Sequence, residues 1–63
     1  MFAISALLDG TEVVWNDELA SEAEAEALVD EMFRADEANE AVIYELSDKQ
    51  VWKSIKQYWM TAI

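Results

Sequence analysis

Two runs of alternating apolar and polar residues open the chain, in the stretch FAISALLDGTEVVW that covers residues 2–15. Between them lies Asp9-Gly10, a dipeptide that tolerates the positive φ angles of a two-residue hairpin turn. The pattern therefore predicts a β-hairpin in which Ile4 lies opposite Trp15. The face predicted to enter the core carries Phe2, Ile4, Ala6, Leu8, Val13 and Trp15. The outer face then carries two apolar residues, either exposed singly or joined in a contact patch, Leu7 and Val14.

A helical periodicity follows the hairpin. Ser21 and Glu24 have the spacing of a capping box, which marks the N-terminus of a helix. The apolar residues that recur at helical spacing after it are Ala25, Leu28, Val29, Met32, Phe33 and Ala35. Because Asp36 would fall inside the apolar arc of a longer helix, we predict an amphipathic helix from about Ser21 to Asp36.

The last third of the chain begins with the run AVIYEL, whose alternation and β-branched residues predict a third strand over residues 41–46. The tail that follows is compatible with two structures. As a strand its alternation is poor, because Lys53 and Gln57 interrupt the apolar positions, whereas its apolar residues share an arc of roughly 120° on a helical wheel. We therefore favour a helix, begun by a second capping box at Ser47 and Gln50, and keep a final strand as the alternative.

The predicted fold is a single α+β domain over residues 1–63 with the element order ββαβα, in which a small antiparallel sheet packs against an amphipathic helix. The alternative order is ββαββ. A chain this short buries only about 60% of the surface that its unfolded form exposes. Its composition is nevertheless 54% hydrophobic, well above that of disordered chains. The residues predicted to be mostly buried are Trp15, Leu28, Met32, Tyr44, Ile55 and Trp59.

Composition restricts the chemistry. The sequence has no cysteine and no histidine, which excludes disulfides, thiolate and imidazole metal sites, and nearly all pairs of nucleophile and base. Its carboxylates lack EF-hand spacing, and it has no glycine-rich phosphate loop. We therefore expect no catalytic site, no cofactor, no functional metal site and no enzymatic activity. The apolar start MFAISALL has no basic region or cleavage site and is too short to span a bilayer, so a cytoplasmic location is expected.

Charge is both abundant and segregated. The formal net charge is −10, residues 17–40 carry ten acids and one base, and residues 49–63 carry three lysines and no acid. On the predicted helix one acidic stripe lies opposite the apolar arc, formed by Glu26, Asp30 and Glu37. A second row on one flank is formed by Glu24 and Glu31. Like charges at i, i+4 cost a few tenths of a kcal/mol each, so this arrangement favours recognition of a basic partner over solubility alone.

The same charge disfavours direct binding to nucleic acid, whose phosphates it repels, and binding of the lysine- and tryptophan-bearing tail to an anionic membrane. The tail lysines could instead form ion pairs with the acidic helix, within one chain or across a dimer. These lysines are Lys49, Lys53 and Lys56. The sequence is compatible with a monomer or a homodimer.

In length, acidity and hairpin–helix–strand order, the chain resembles the small acidic proteins encoded by bacteriophages and mobile elements, including anti-CRISPR and other DNA-mimic inhibitors. The resemblance implies a non-enzymatic inhibitor that binds the basic groove of a host nucleic-acid-binding protein. The helical wheel supplies the residues expected to contact this partner, Glu24, Glu26, Asp30, Glu31 and Glu37. The alternative function is a small structural or regulatory subunit that assembles through its apolar sheet face and aromatic C-terminal segment, with its charge only solvating the assembly.

Overall fold

A computed structural model describes residues 1–60. Its elements are β1 (Phe2–Leu8), β2 (Thr11–Leu19), α1 (Glu22–Arg34), β3 (Glu40–Leu46) and β4 (Trp52–Trp59). The strands form an antiparallel sheet in the order β2-β1-β3-β4, so β2 and β4 are the edge strands. The predicted α+β class is confirmed, and the element order is ββαββ.

The core lies between α1 and one face of the sheet. Its buried residues are Ile4, Ala6, Leu19, Ala25, Val29, Met32, Ala38, Ala41 and Ile43. Among the described residues, Ile4 and Ile43 are the largest side chains that are fully buried, and much of the remainder is alanine. This core therefore removes little apolar surface from water for each residue that it orders.

The hairpin turn lies where the sequence predicts it, but the register of β2 against β1 differs from the prediction. Asp9 and Gly10 have φ angles of 52° and 85°, as a type I′ turn requires. Past the turn the pairing shifts by one residue between Ala6 and Leu7, so that Val13 is an extra residue in β2. A one-residue shift moves the side chains that follow it to the other face of the sheet, here as far as a second shift between the pairings of Ile4 and Phe2. The predicted pairing of Ile4 with Trp15 is therefore wrong.

After this shift Ile4 pairs with Asn16 and Ala6 pairs with Val14. Val14 consequently packs against the core, although the sequence placed it on the outer face. Trp15 pairs with Ser5 on the opposite face and is 43% exposed. Because of the bulge, Val14 and not Trp15 lies on the core side of the sheet.

The helix α1 begins and ends nearly as predicted. The Ser21 side chain accepts a hydrogen bond from the Glu24 backbone N–H at 3.1 Å, and the Glu24 carboxylate accepts one from the Ala20 N–H at 3.2 Å. At the other end Asp36 has a φ of 56°, a left-handed conformation that stops the helix. The capping box and the predicted end near residue 36 are confirmed. Strand β3 likewise agrees with its predicted range to within one residue.

The predicted C-terminal helix is wrong, because residues 52–59 form strand β4. A register shift makes Ile55 an extra residue opposite Ile43 and Tyr44, and this bulge breaks the alternation that would identify a strand. Ser47 does act as a cap, but of a hairpin loop. Its hydroxyl accepts a hydrogen bond from the Val51 N–H, and its backbone carbonyl accepts one from the Gln50 N–H. The final part of the predicted helix, residues 61–63, lies outside the described residues.

The predicted core is only partly correct. Met32 is buried, while three other predicted core residues are half-buried, Leu28, Tyr44 and Ile55. Trp59 is 62% exposed, so its assignment to the core is wrong, as is that of Trp15. Both tryptophans lie on the face of the sheet that α1 does not cover. Within residues 1–60, no helix combines the length and apolar character that crossing a membrane requires.

Candidate partner-binding surfaces

The helix α1 lies over the sheet and divides its acidic residues between two open grooves. The first, here called the β2 groove, is lined by Asn16, Leu19, Glu24, Ala27, Leu28 and Glu31. The second, called the β4 groove, is lined by Glu26, Val29, Asp30, Phe33 and Tyr58. The two acidic rows read from the sequence, apart from Glu37, therefore face different neighbours. What each row can do depends on the strand beside it.

In the β4 groove the sheet supplies partners for the helix acids. Lys56 Nζ lies 2.9 Å from Glu26 Oε1 and 3.0 Å from Glu22 Oε2, and Tyr58 Oη donates a hydrogen bond to Glu26 Oε1 at 2.6 Å. One lysine and one phenol thus contact two carboxylates. The ion pairing between the lysine tail and the acidic helix, expected from the sequence as one possibility, occurs within one chain at Lys56.

These contacts change the proton affinities of the groups that make them. The hydrogen bond from Tyr58, followed in importance by that from Lys56, lowers the pKa of Glu26 below its ordinary value of 4.5. The Glu26 carboxylate raises the pKa of the Tyr58 phenol, and the carboxylates of Glu26 and Glu22 raise the pKa of Lys56. Glu26 is therefore a structural anion, already bound to cationic and hydroxyl donors of its own chain.

Asp30 is also paired, but weakly. Its carboxylate lies 3.1 Å from Arg34 Nε one helical turn later, and the two side chains are 62% and 81% exposed. An exposed i, i+4 pair of this kind contributes about 0.3–0.5 kcal/mol. Arg34 can rotate away from Asp30 at little cost, so this carboxylate remains available to solvent or to another cation.

The β2 groove has no such neutralising partner. Strand β2 carries three acids and no base, Glu12, Asp17 and Glu18, and the sequence contains no lysine or arginine before Arg34. Glu24 accepts the Ala20 N–H, while Glu31 makes no side-chain hydrogen bond or ion pair within residues 1–60. Apolar side chains lie between the two carboxylates, Leu19, Ala27 and Leu28. The groove therefore offers an apolar floor with anionic walls.

Glu37 is separated from the other predicted site residues. It follows the left-handed residue Asp36, in the loop between α1 and β3, and so does not continue the stripe of Glu26 and Asp30. Its backbone N–H donates to the Met32 carbonyl at 3.0 Å, and its side chain is exposed. The structure thus places the five predicted residues in three locations: Glu24 and Glu31, Glu26 and Asp30, and Glu37 alone.

A second surface was identified only in part from the sequence. It is the sheet face opposite α1, here called the open face, and the strand register places all three tryptophans of the chain on it, Trp15, Trp52 and Trp59. Trp15 contacts Tyr44 at a ring-centroid distance of 5.6 Å and Trp52 at 5.8 Å. Of the two residues that the sequence placed on the outer face, Leu7 and Val14, only Leu7 lies there. The other residues of this face could not be predicted from alternation, because the bulges in β2 and β4 interrupt it.

Two hydrogen bonds on the open face are made between side chains of neighbouring strands. The buried Ser5 hydroxyl donates to a Glu12 carboxylate oxygen, and the Gln57 amide donates to Glu40 at 3.0 Å. In the part of the chain that the structure describes, no buried side-chain nitrogen or oxygen lacks a hydrogen-bond partner. The open face therefore presents aromatic rings beside polar side chains, two pairs of which are hydrogen-bonded to each other between strands.

Two further observations bear on function. Residues 1–60 contain no cluster of three or more acidic, cysteine or histidine side chains arranged to hold a metal ion. No protein-family model matches the chain, and neither the curated proteins nor the solved structures contain a match to it.

Proposed function

We propose that the chain is a non-enzymatic, cytoplasmic inhibitor that binds the basic groove of a nucleic-acid-binding protein through the acidic β2 side of its helix. The observation that carries this proposal is the asymmetry between the two grooves. On the β4 side, Lys56 already occupies the carboxylates of Glu22 and Glu26. On the β2 side, Glu24 and Glu31 line a groove with Asn16 and Leu19 of β2, a strand that carries no base. Uncompensated charge on a rigid element is available for a partner.

The lining of the β2 groove fits an arginine or lysine side chain of that partner. The aliphatic stem of such a residue packs on Leu19 and Leu28, and its cationic head reaches a carboxylate of Glu24 or Glu31. Nucleic-acid-binding grooves are rich in these side chains, since they must neutralise phosphates. An acidic protein that occupies them competes with the nucleic acid directly.

The density of acids along α1 is lower than the density of phosphates along duplex DNA. It is sufficient to compete with DNA for a few basic residues but not to mimic a whole duplex. The 13 residues of α1 extend over about 20 Å, a length over which duplex DNA presents about twelve phosphates. The helix carries five acids, and two of them are paired with Lys56. We therefore propose a partial DNA mimic, of the kind found among phage and anti-CRISPR inhibitors, that blocks a small set of basic residues.

The test begins with capture from the native host, using the tagged chain at low ionic strength. A captured protein that binds DNA, and that releases a labelled duplex when the chain is added, is the expected result. Salt should weaken the capture, because the contact is between exposed charges. A captured partner whose DNA binding is unaffected by a saturating amount of the chain contradicts the inhibitor function.

A matched pair of variants then locates the surface. Glu24→Gln with Glu31→Gln removes two charges from the β2 groove and keeps the capping box, which accepts glutamine as well as glutamate. Glu37→Gln with Asp48→Asn removes two charges from exposed loops elsewhere. We expect the first pair to weaken partner binding at least about tenfold and the second pair to weaken it much less. Equal losses would mean that only net charge matters, and no loss from the first pair would exclude the β2 groove.

A further inference from the structure

We propose that the open face is the interface of a homodimer, in which the sheets of two copies pack face to face. This inference goes beyond the inhibitor function, because α1 and its acids lie on the other side of the sheet. The surface is formed by aromatic and aliphatic side chains that lie outside the core, Trp15, Val42, Tyr44, Trp52 and Trp59.

The distribution of apolar mass in the chain is the first argument. The largest side chains fully buried in the core are two isoleucines, while the tryptophans stand on the open face, where Trp15 is 43% and Trp59 is 62% exposed. Aromatic residues bury the most area per residue and dominate cores and interfaces. A chain of 63 residues with so small a core gains from covering this face.

The chemistry of the open face limits the kind of occupant. Trp52 meets Trp15 edge-on, at an interplanar angle of 89°, and Tyr44 meets it at 56°. Tilted and edge-to-face contacts of this kind are the arrangements that packed aromatic side chains adopt in cores and interfaces. The net charge of −10 disfavours nucleic acid as the occupant. An apolar protein surface is the fitting occupant, and the same face of a second copy provides one.

Charge permits this association in the face-to-face orientation. The helices α1, which carry the largest concentration of acids, then lie on the two outer sides of the dimer. Packed sheets alone are about 10 Å apart, already as far as the Debye length of about 8–10 Å at physiological ionic strength. Repulsion between the two acidic helices is therefore largely screened. Two carboxylates on this face, Glu12 and Glu40, each accept a hydrogen bond from their own chain.

The edges of the sheet are less suited than the open face to binding a second copy. Both edge strands contain bulges. Strand β2 has one at Val13 and a second register shift between the residues that pair with Ile4 and Phe2, and strand β4 has one at Ile55. Bulges interrupt the regular row of backbone donors and acceptors that a second strand needs for pairing. Packing through the face is therefore favoured over extension of the sheet through its edges.

The available area sets the expected strength. Four strands of seven to nine residues give the face a footprint of roughly 19 by 25 Å. The smallest specific interfaces bury about 600 Å² of accessible surface per partner, and projecting rings expose more surface than their footprint. The footprint of about 475 Å² lies below that value, so the face supports at most a weak, transient dimer. We expect a dimer that dissociates on dilution, with a dissociation constant between about 1 μM and 1 mM.

Sedimentation velocity over this concentration range tests the proposal, with Trp59→Ser as the disrupting variant and Val51→Ser as its control. Trp59 and Val51 are exposed to nearly the same extent, 62% and 59%, but Val51 lies in the β3–β4 loop. We expect the parent to change from monomer to dimer with concentration, Trp59→Ser to dimerise at least about tenfold more weakly, and Val51→Ser to behave as the parent. A parent that is monomeric throughout, or a dimer equally strong in Trp59→Ser, overturns the proposal.

Two measurements on the unmodified chain keep the test decisive even if Trp59→Ser does not fold. Iodide should quench tryptophan fluorescence less at high than at low protein concentration, because the three tryptophans become covered. Intermolecular NOEs between labelled and unlabelled copies should join side chains of the open face, and none should join the backbones of two edge strands. Unchanged quenching, or intermolecular NOEs along an edge strand, contradicts face-to-face packing. Neither result bears on the acidic β2 groove, so failure of this proposal leaves the inhibitor function to its own test.

Discussion

The two flanks of α1 show how one acidic helix can carry two kinds of carboxylate. On the β4 flank, Glu26 receives hydrogen bonds from Lys56 and Tyr58 and helps to hold the helix against the edge of the sheet. On the β2 flank, Glu31 faces a strand that contains only acids among its charged residues. The residue type and the secondary structure are the same in both places. The neighbouring strand therefore decides whether a glutamate is structural or available to a partner.

We expect the largest change in stability from reversing the charge of Lys56, the cation of the β4 flank. Lys56→Glu replaces the cation between Glu22 and Glu26 by a third carboxylate, so we expect a marked fall in melting temperature at low salt, with part of the loss recovered at high salt. Lys49→Glu is the control, because it makes the same charge change at an exposed loop lysine with no ion pair among the described residues. Similar losses in the two variants would show that the Lys56 contacts contribute no more than net charge does.

A smaller effect is expected from pH, through the contact between Tyr58 and Glu26. The pKa of Glu26 is lowered by Tyr58 and Lys56, so the stability that its charge provides is present above pH 4.5 and is lost as the pH falls through the lowered value. The pKa of Tyr58 is raised, so its contribution is present below pH 10.0 and is lost as the pH rises through the raised value.

Tyr58→Phe isolates this contact. It removes the hydroxyl, so the pKa of Glu26 should rise toward its ordinary value, which a carboxyl-detected NMR titration measures directly. In the parent, absorbance of tyrosinate should reveal one of the two tyrosines titrating above pH 10.0. A Glu26 titration that is unchanged in Tyr58→Phe would place the cause of the lowered pKa elsewhere.

The smallest effect is expected at the exposed pair of Arg34 and Asp30. Arg34→Gln should change the free energy of unfolding by no more than about 0.5 kcal/mol, because both side chains are mostly exposed. Urea denaturation of the variant and the parent measures this difference. A loss well above 1 kcal/mol would show that Arg34 does more than pair with its neighbour on the helix surface.

Local signals in the sequence predicted the turn, the helix and β3. Asp9-Gly10, the capping box of Ser21 and the alternation of residues 41–46 each depend on residues close together in the chain, and each is found where it was expected. The two acidic rows of the helix wheel also correspond to the two grooves for four of their five members.

Features that depend on bulges could not be predicted in the same way. Val13 and Ile55 are ordinary β-branched residues, and nothing in their neighbourhood marks them as extra residues in a ladder. One such residue changes the face of the side chains that follow it, and the bulge at Val13 moved Trp15 out of the predicted core. The bulge at Ile55 also gave the tail an arc of apolar residues typical of a helix. The contacts of Lys56 with Glu22 and Glu26 could not be predicted either. They require residues 52–59 to form a strand that directs the Lys56 side chain toward α1.

A crossed measurement on two single variants tests the difference between the flanks most directly. Glu26→Gln and Glu31→Gln make the same substitution on the same helix, and each is examined by thermal melting and by titration with the captured partner. We predict that Glu26→Gln lowers the melting temperature and leaves partner binding nearly unchanged. Glu31→Gln should leave the melting temperature unchanged or raise it, since it removes a negative charge near the helix C-terminus, and should weaken binding. If the two variants shift both quantities alike, the two flanks of α1 are equivalent and the account is wrong.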